Sequence, residues 1–265
     1  MTNHPFTPSI GRFEWLGAPR ARLALLIVAP HPDDEVIGPG GRACLEAGEG
    51  VGAIVVTDGA RGAGGRSEPG LAARREEEAL AGLRAVHASF GWLLRLPSSA
   101  LQADPAGAAA SAIAAAIAAF APRVVVTTSP YERHPTHLAT TRATLAAVRR
   151  STPRPHLEGF PVWDPVPGHA GVREVEVGRV LEQKLAAVRC HASQCADRPF
   201  AEASRAQMER DGTLSELTGS GGTRFVERYL DLDELAAPGA PTLRHWLTRR
   251  FEADLDLRLG AGRTD

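Results

Sequence analysis

Short apolar runs that alternate with helical stretches set the strongest limit on how this chain folds. Residues 25–28 and 51–56 are continuous apolar segments, the pattern of strands buried on both faces. Residues 92–96, closed by Pro97, and residues 123–128 repeat it. Between these runs, residues 35–47, 71–87, 106–120 and 134–150 read as helices. Strand and helix in regular alternation predict an α/β chain with a mostly parallel sheet and helices on both faces. The last third is less regular. It reads as strands at 157–163, 173–177 and 225–230, helices at 179–191 and 201–208, and a Gly/Pro loop at 164–171. No repeat or long linker divides the 265 residues, so 1–265 reads as one domain, frayed from Gly260 onward.

In such a sheet the ligand crevice lies beyond the carboxyl ends of the strands. Two polar segments occupy those ends, and each opens a helix. Ala29-Pro30-His31-Pro32-Asp33-Asp34-Glu35 follows the first run, and Ser129-Pro130-Tyr131-Glu132-Arg133-His134-Pro135-Thr136-His137 follows the fourth. His31 and Asp34 stand three apart at a helix start, a spacing that lets both side chains lean the same way. His137 completes a set of two imidazoles and one carboxylate, suited to a catalytic metal that keeps one position open for water and a carbonyl oxygen. Asp33 is the surplus carboxylate and is placed to take a proton from the attacking water. His134, one turn before His137, is placed to stabilise a developing oxyanion or to protonate a leaving nitrogen. Singly, the aspartates read as helix caps and the histidines as a polar helix start. Together at two strand ends they predict a metal-dependent hydrolase that cleaves an amide.

The formal net charge is −1, which gives no field to gather nucleic acid or an anionic membrane. Three cysteines, Cys44, Cys190 and Cys195, argue against a disulfide framework and suit a reducing compartment. Residues 1–20 do not read as a signal peptide, and the apolar runs fall short of the roughly 20 residues a bilayer span needs. A cytoplasmic location is the expectation.

The stretch Ala29 to Glu35 with the glycine pair Gly40-Gly41, followed later by His134-Pro135-Thr136-His137, resembles the PIG-L/LmbE-like family of deacetylases. Val55-Val56-Thr57-Asp58-Gly59 is similar to that family too, as is the segment from Lys184 through His191 to Gln194. The resemblance runs from about Leu25 to Gln194 and marks a catalytic core of about 21–200. It implies a Rossmann-like sheet and a hydrolase that deacetylates N-acetylated amino sugars or glycoconjugates. The implied cofactor is one zinc per chain, with Fe2+ as an alternative occupant. The metal ligands would be His31, Asp34 and His137, the general base Asp33 and the catalytic histidine His134. A family arginine that touches substrate matches Arg75, or Arg74 under the neighbouring alignment. This chain departs from the pattern in two places. Thr136 stands where an Asp that helps orient the catalytic histidine is usual, and Glu132 stands where some members carry a Tyr.

Other features are read as ordinary structure. The Gly-rich stretch 61–67 is expected to be a rim of the crevice. Cys190, His191 and Cys195 are expected to pack at a helix end. Trp163 is expected in the core or along the substrate site. His87, His156, His169 and His245 show no partner pattern. Two rival readings exist. The same donor set forms the facial triad of non-haem iron oxygenases, but those ligands usually sit on an antiparallel barrel. A nucleotide-binding module would need G-x-G-x-x-G directly after the first strand, where this chain has carboxylates instead.

Overall fold

The computed structural model describes residues 6–62, 65, 67–166, 171–215 and 224–259. Part of the 61–67 rim, part of the 164–171 loop with His169, and the tail from Gly260 lie outside the described residues.

Eight strands form one sheet. They are β1 (Arg12–Trp15), β2 (Leu25–Ala29), β3 (Val51–Thr57), β4 (Phe90–Leu96), β5 (Val124–Thr128), β6 (His156–Phe160), β7 (Val172–Glu176) and β8 (Val226–Asp231). Their order across the sheet is β1-β4-β3-β2-β5-β6-β8-β7. β4, β3, β2, β5 and β6 pair in parallel, and the antiparallel pairs lie toward the two edges. The chain steps from β2 outward to β3 and β4, then returns to place β5 on the other side of β2. That reversal makes β2 and β5 the topological switch point, where α/β sheets open a crevice for ligands.

The first half supplies helices α1 (Asp34–Ile37), α2 (Gly40–Glu46), α3 (Leu71–Ala85), α4 (Ser98–Ala103), α5 (Ala108–Phe120) and α6 (Pro135–Arg149). Then come α7 (Leu181–Arg189), α8 (Ala192–Cys195), α9 (Phe200–Thr213), α10 (Asp233–Ala236) and α11 (Leu243–Leu259). The strands sort their side chains with period two between two cores. Leu26 and Val28 of β2 join Ile54, Val56, Phe90, Trp92 and Phe120 under α5 and α6. Leu25, Ile27 and Ala29 join Val51, Ala53, Phe160 and Leu185 under α1, α2 and α7. Burial on both faces explains why β2 and β3 read as unbroken apolar runs.

The helix expected at 35–47 is divided. α1 stops at Gly38, and α2 begins after Pro39. A side chain on Gly38 would place its Cβ 2.2 Å from the Phe160 ring, so only glycine lets β6 pack here. The glycine pair opening α2 has a similar cause. Glu227 of β8 accepts the backbone N–H groups of Gly41 at 2.7 Å and Arg42 at 2.9 Å. Lys184 of α7 balances that buried carboxylate at 2.7 Å. A Cβ on Gly41 would fall 2.7 Å from the Glu227 Oε1 that makes the first bond. Lys184 and the glycine pair therefore secure the helix that follows the first motif.

Candidate metal centre

The two motifs meet at the switch point. β2 delivers His31 and Asp34 from its carboxyl end, and β5 delivers His134 and His137. Asp34 Oδ2 lies 3.0 Å from His31 Nδ1 and 3.4 Å from His137 Nε2. Donors bound to one zinc at about 2.0–2.2 Å in tetrahedral array are separated by roughly 3.3–3.6 Å. The two contacts lie at or slightly inside that edge length, so the set fits a single divalent ion. The three imidazoles of His31, His134 and His137 also offer ligand atoms within 4.8 Å of one another. His134 is the less suitable third donor, because its Nδ1 accepts the Thr136 N–H at 3.3 Å and caps α6. Asp34 bridges the other two rings more closely than His134 does.

Electrostatics separate the adjacent aspartates. Burial works against the charge on Asp34, but His137 and His31 outweigh it and hold the carboxyl down to about 2. Burial pushes Asp33 up to about 7, with Arg75 opposing. One carboxylate thus stays charged, while its neighbour can gain or lose a proton near neutral pH. Burial, aided by His31 and His137, lowers His134 to about 4, so its ring is neutral near pH 7. With Nδ1 accepting, the ring proton resides on Nε2, which makes His134 a hydrogen-bond donor there.

Asp33 does not cap α1 through its side chain. Its backbone has φ 138°, a strained value for a residue with a side chain. Two groups brace it. Glu35 Oε2 accepts the Asp33 N–H at 2.8 Å. Arg75 Nη2 donates to Pro32 O at 2.6 Å and to Asp33 Oδ2 at 3.1 Å. Arg75 also donates to Gly59 O and Arg61 O. It is 3% exposed, so it is neither a solvated helix residue nor an open group on the rim. The alternative arginine, Arg74, is exposed and pairs with Glu68. Gly59 completes the brace. It has φ 61°, and a Cβ there would sit 2.9 Å from the Pro32 ring.

Glu132 is the residue whose part the sequence concealed. It is buried, and its Oε2 meets His137 Nδ1 at 3.1 Å. Its Oε1 accepts the backbone N–H groups of Val162, Trp163 and Asp164 at 2.7, 3.0 and 3.2 Å. A carboxylate on Nδ1 fixes the tautomer that leaves the Nε2 lone pair facing Asp34. Arg133 clamps the same loop through Asp164. Thr136 turns its hydroxyl to Gln102 of α4 at 3.0 Å, so the Thr136 backbone N–H takes up the contact with His134. Trp163 is 45% exposed, which removes it from the core, and its ring lies 5.0 Å from Phe200.

Outside this centre, His191 and His156 have partners that the sequence did not show, while the cysteines are as expected. His191 is fully buried, with Nε2 2.9 Å from Glu35 Oε1, rather than packing only as a helix end. Cys44, Cys190 and Cys195 are free thiols. Burial raises all three, Cys44 to about 12, so they are poor nucleophiles. His156, for which the sequence offered no partner, meets Asp233 and Glu158 at the amino end of β6. With Asp231 and Asp233 it forms a second group able to approach a cation. Asp233 Oδ1 already accepts the Leu157 N–H, and Asp231 Oδ1 accepts the Asp233 N–H, so the knot serves to join β6 to α10. Among the described residues no helix is long and apolar enough to cross a membrane.

Comparison with known proteins finds one family model and several solved structures that the chain resembles. Residues 26–148 match the family model described as PIG-L: GlcNAc-PI de-N-acetylase. No curated protein sequence matches the chain. The conserved protein TT1542 from Thermus thermophilus is similar in structure, with 27% identity and a TM-score of 0.63, over 79% of this chain and 94% of that one. The N,N'-diacetylchitobiose deacetylase from Pyrococcus horikoshii shares 22% identity with a TM-score of 0.57, over 77% and 82%. GalB, the 4-carboxy-2-hydroxymuconate hydratase from Pseudomonas putida KT2440, shares 19% with a TM-score of 0.57, over 80% and 96%. The last two likenesses speak to fold alone, and one fold evidently carries both a deacetylase and a hydratase. The segment matched by the family model contains both histidine motifs and the two strands that present them, and that match, with the likeness to the Thermus protein, supports a place for the chain in the PIG-L/LmbE-like family.

Proposed function

We propose that this chain is a zinc-dependent N-deacetylase that removes an acetyl or related acyl group from an amino sugar or glycoconjugate. The observation that carries the reading is the pairing of Asp34, whose Oδ2 lies against His31 and His137, with an adjacent Asp33 whose Oδ2 is held by Arg75. His31 Nδ1, Asp34 Oδ2 and His137 Nε2 would hold the ion. When bound, such an ion acidifies water and polarises a carbonyl.

The remaining chemistry belongs to side chains. Asp33 takes a proton from the attacking water as the new carbon–oxygen bond forms. Arg75 holds one oxygen of that carboxylate, which leaves the other for the water. His134 donates from Nε2 to the carbonyl oxygen as it gains negative charge. Its pKa of about 4 favours this donor role over proton delivery near pH 7. Asp33 then passes the proton to the nitrogen as the carbon–nitrogen bond breaks, and a carboxylate and an amine leave. Arg75 is assigned to the orientation of Asp33, because its contacts to Pro32, Asp33, Gly59 and Arg61 leave it turned toward the protein. A cytoplasmic setting accords with three free thiols. The matched family and the deacetylase among the structural neighbours favour an N-acetylated sugar as substrate.

The test is amine release from N-acetylglucosamine and a panel of N-acylated glycoconjugates by zinc-loaded protein, with Asp33→Ala in parallel. Release by the wild type, lost in a variant that still binds zinc, supports the reading. Full activity in Asp33→Ala refutes the mechanism, and addition of water to a carbon–carbon double bond without amine release refutes the reaction class.

A further inference from the structure

The described residues hold one buried ion pair next to the centre that the proposed chemistry leaves without a part. His191 sits between α7 and α8, fully buried. Its Nε2 faces Glu35 Oε1 at 2.9 Å, a charge contact outside hydrogen-bond angles. Glu35 is also fully buried, and its Oε1 has no hydrogen-bond partner among the described residues. A carboxylate so placed is costly unless a cation faces it. The other oxygen of Glu35 accepts the Asp33 N–H at 2.8 Å. The three residues thus form a line running from α7–α8 through the start of α1 to the strained backbone of Asp33.

Space for this line is built into a third element. Gly82 of α3 faces the imidazole, and a Cβ there would lie 3.1 Å from His191 Nε2 and 3.3 Å from Ala187 O. A strained backbone persists only where its surroundings over-determine it. Arg75 holds the Asp33 carboxylate from one side, and Glu35 holds the Asp33 amide from the other. Arg75 has three further acceptors in Pro32, Gly59 and Arg61. Glu35 is fixed at its other end by His191 alone among the described residues.

We propose that His191 is a positioning residue for Asp33: by pairing with Glu35 it holds the carboxylate that grips the Asp33 amide, and so sets where the base stands beside the metal. This inference rests on the deacetylase reading for its kinetic consequence, but not for its structural one. Such a residue governs the rate of the chemical step rather than substrate or metal affinity, because neither the ligand atoms nor the open face of the cleft touches it.

The experiment compares wild type, His191→Gln and Gly82→Ala, each zinc-loaded. It uses crystal structures, chelator-competition titration of zinc, and amine-release kinetics. In His191→Gln, Asp33 is expected to leave its φ near 138° while His31, Asp34 and His137 stay in place. The expected kinetic result is a fall in kcat of about tenfold or more, with KM and zinc affinity held within about threefold. Gly82→Ala crowds the imidazole without deleting it and is expected to lower kcat in the same way, but less. An unmoved Asp33, or an unchanged kcat beside a lower Tm, overturns the proposal. So does a parallel loss of kcat and zinc affinity, which would make His191 a support for the ligands instead. A wild type that releases no amine from any substrate sinks the deacetylase reading by itself, and the position of Asp33 in the crystals then decides the His191 proposal.

Discussion

Replacing Glu132 with Gln isolates one contact of the candidate metal centre. The side chain keeps its volume and one carbonyl oxygen, which can still accept the three N–H groups of residues 162–164. What changes is the atom facing His137 Nδ1, now an amide NH2 where a carboxylate oxygen stood at 3.1 Å. An NH2 needs an acceptor, so Nδ1 must give up its proton and Nε2 must carry it. A protonated Nε2 has no lone pair for a metal. The alternative, a flipped amide, restores the His137 bond but sets NH2 against three backbone donors. Both routes oppose ligation. Loss of a partner that orients a metal-binding histidine typically costs 10–100-fold in affinity, or about 1.4–2.8 kcal/mol. The expected result is therefore zinc binding weaker by at least about tenfold. Glu132→Ala is the poorer probe, because three backbone N–H groups, that of Val162 buried, would lose their acceptor together and the fold would suffer first. The assay is competition with a chromophoric chelator, with thermal melts of the metal-free protein as a control on folding. Zinc affinity in Glu132→Gln within about twofold of wild type would refute the tautomer argument.

Two further outcomes follow from the brace around Asp33. Gly59→Ala is expected to destabilise the protein by about 1–3 kcal/mol, because φ of 61° disfavours a side chain and the new Cβ would press on Pro32; denaturant melts check this, and an unchanged midpoint counts against it. The His191–Glu35 pair should also leave a mark on pH-dependent stability. Burial pulls His191 down, but Glu35, with Asp33 and Glu78 nearby, outweighs it and raises the folded-state pKa above 6.5. A raised histidine contributes stability that is fully present below its unfolded pKa of about 6.5 and is lost as pH rises through the folded value. The Tm gap between wild type and His191→Gln should therefore be widest below about pH 6.5 and narrow above the folded pKa, and a gap that widens with pH would contradict the pairing.

The parallel half of the sheet was legible because its strands are buried on both faces and leave unbroken apolar runs in the sequence. β1 was not. Arg12 to Trp15 pairs with β4 at one edge of the sheet and is half buried throughout, so it carries a four-residue alternation too short to stand out. The division at Gly38 was hidden for a related reason, since it is forced by Phe160, more than a hundred residues away, and no local signal reports a distant ring. At the site, His31, Asp34, His134 and His137 were visible because each motif lies within one short segment after one strand. The groups that set their orientation come from elsewhere. Glu132 could be seen as a departure but not as a hub, because its partners at 162–164 follow a different strand. Glu35 was read only as the residue that opens a helix, and only the fold brings His191 to it. Arg75 was found in sequence as a residue of interest, but its direction, inward to Asp33, is a property of packing that no spacing encodes.

The two halves of the centre sit on β2 and β5, which are neighbours in the sheet but separated in the chain by two strands and several helices. No fragment ending before β5 holds a complete donor set, and closing so long a loop is a slow, non-local event. On the proposed function a metal would have little to grip until the switch point has formed, and its binding energy would accrue to the native state. At free zinc about 100 times the dissociation constant this linkage would add about 2.7 kcal/mol to the stability of the fold. The same crevice that would perform the chemistry would thus also reward the fold only once the sheet has brought β2 and β5 together.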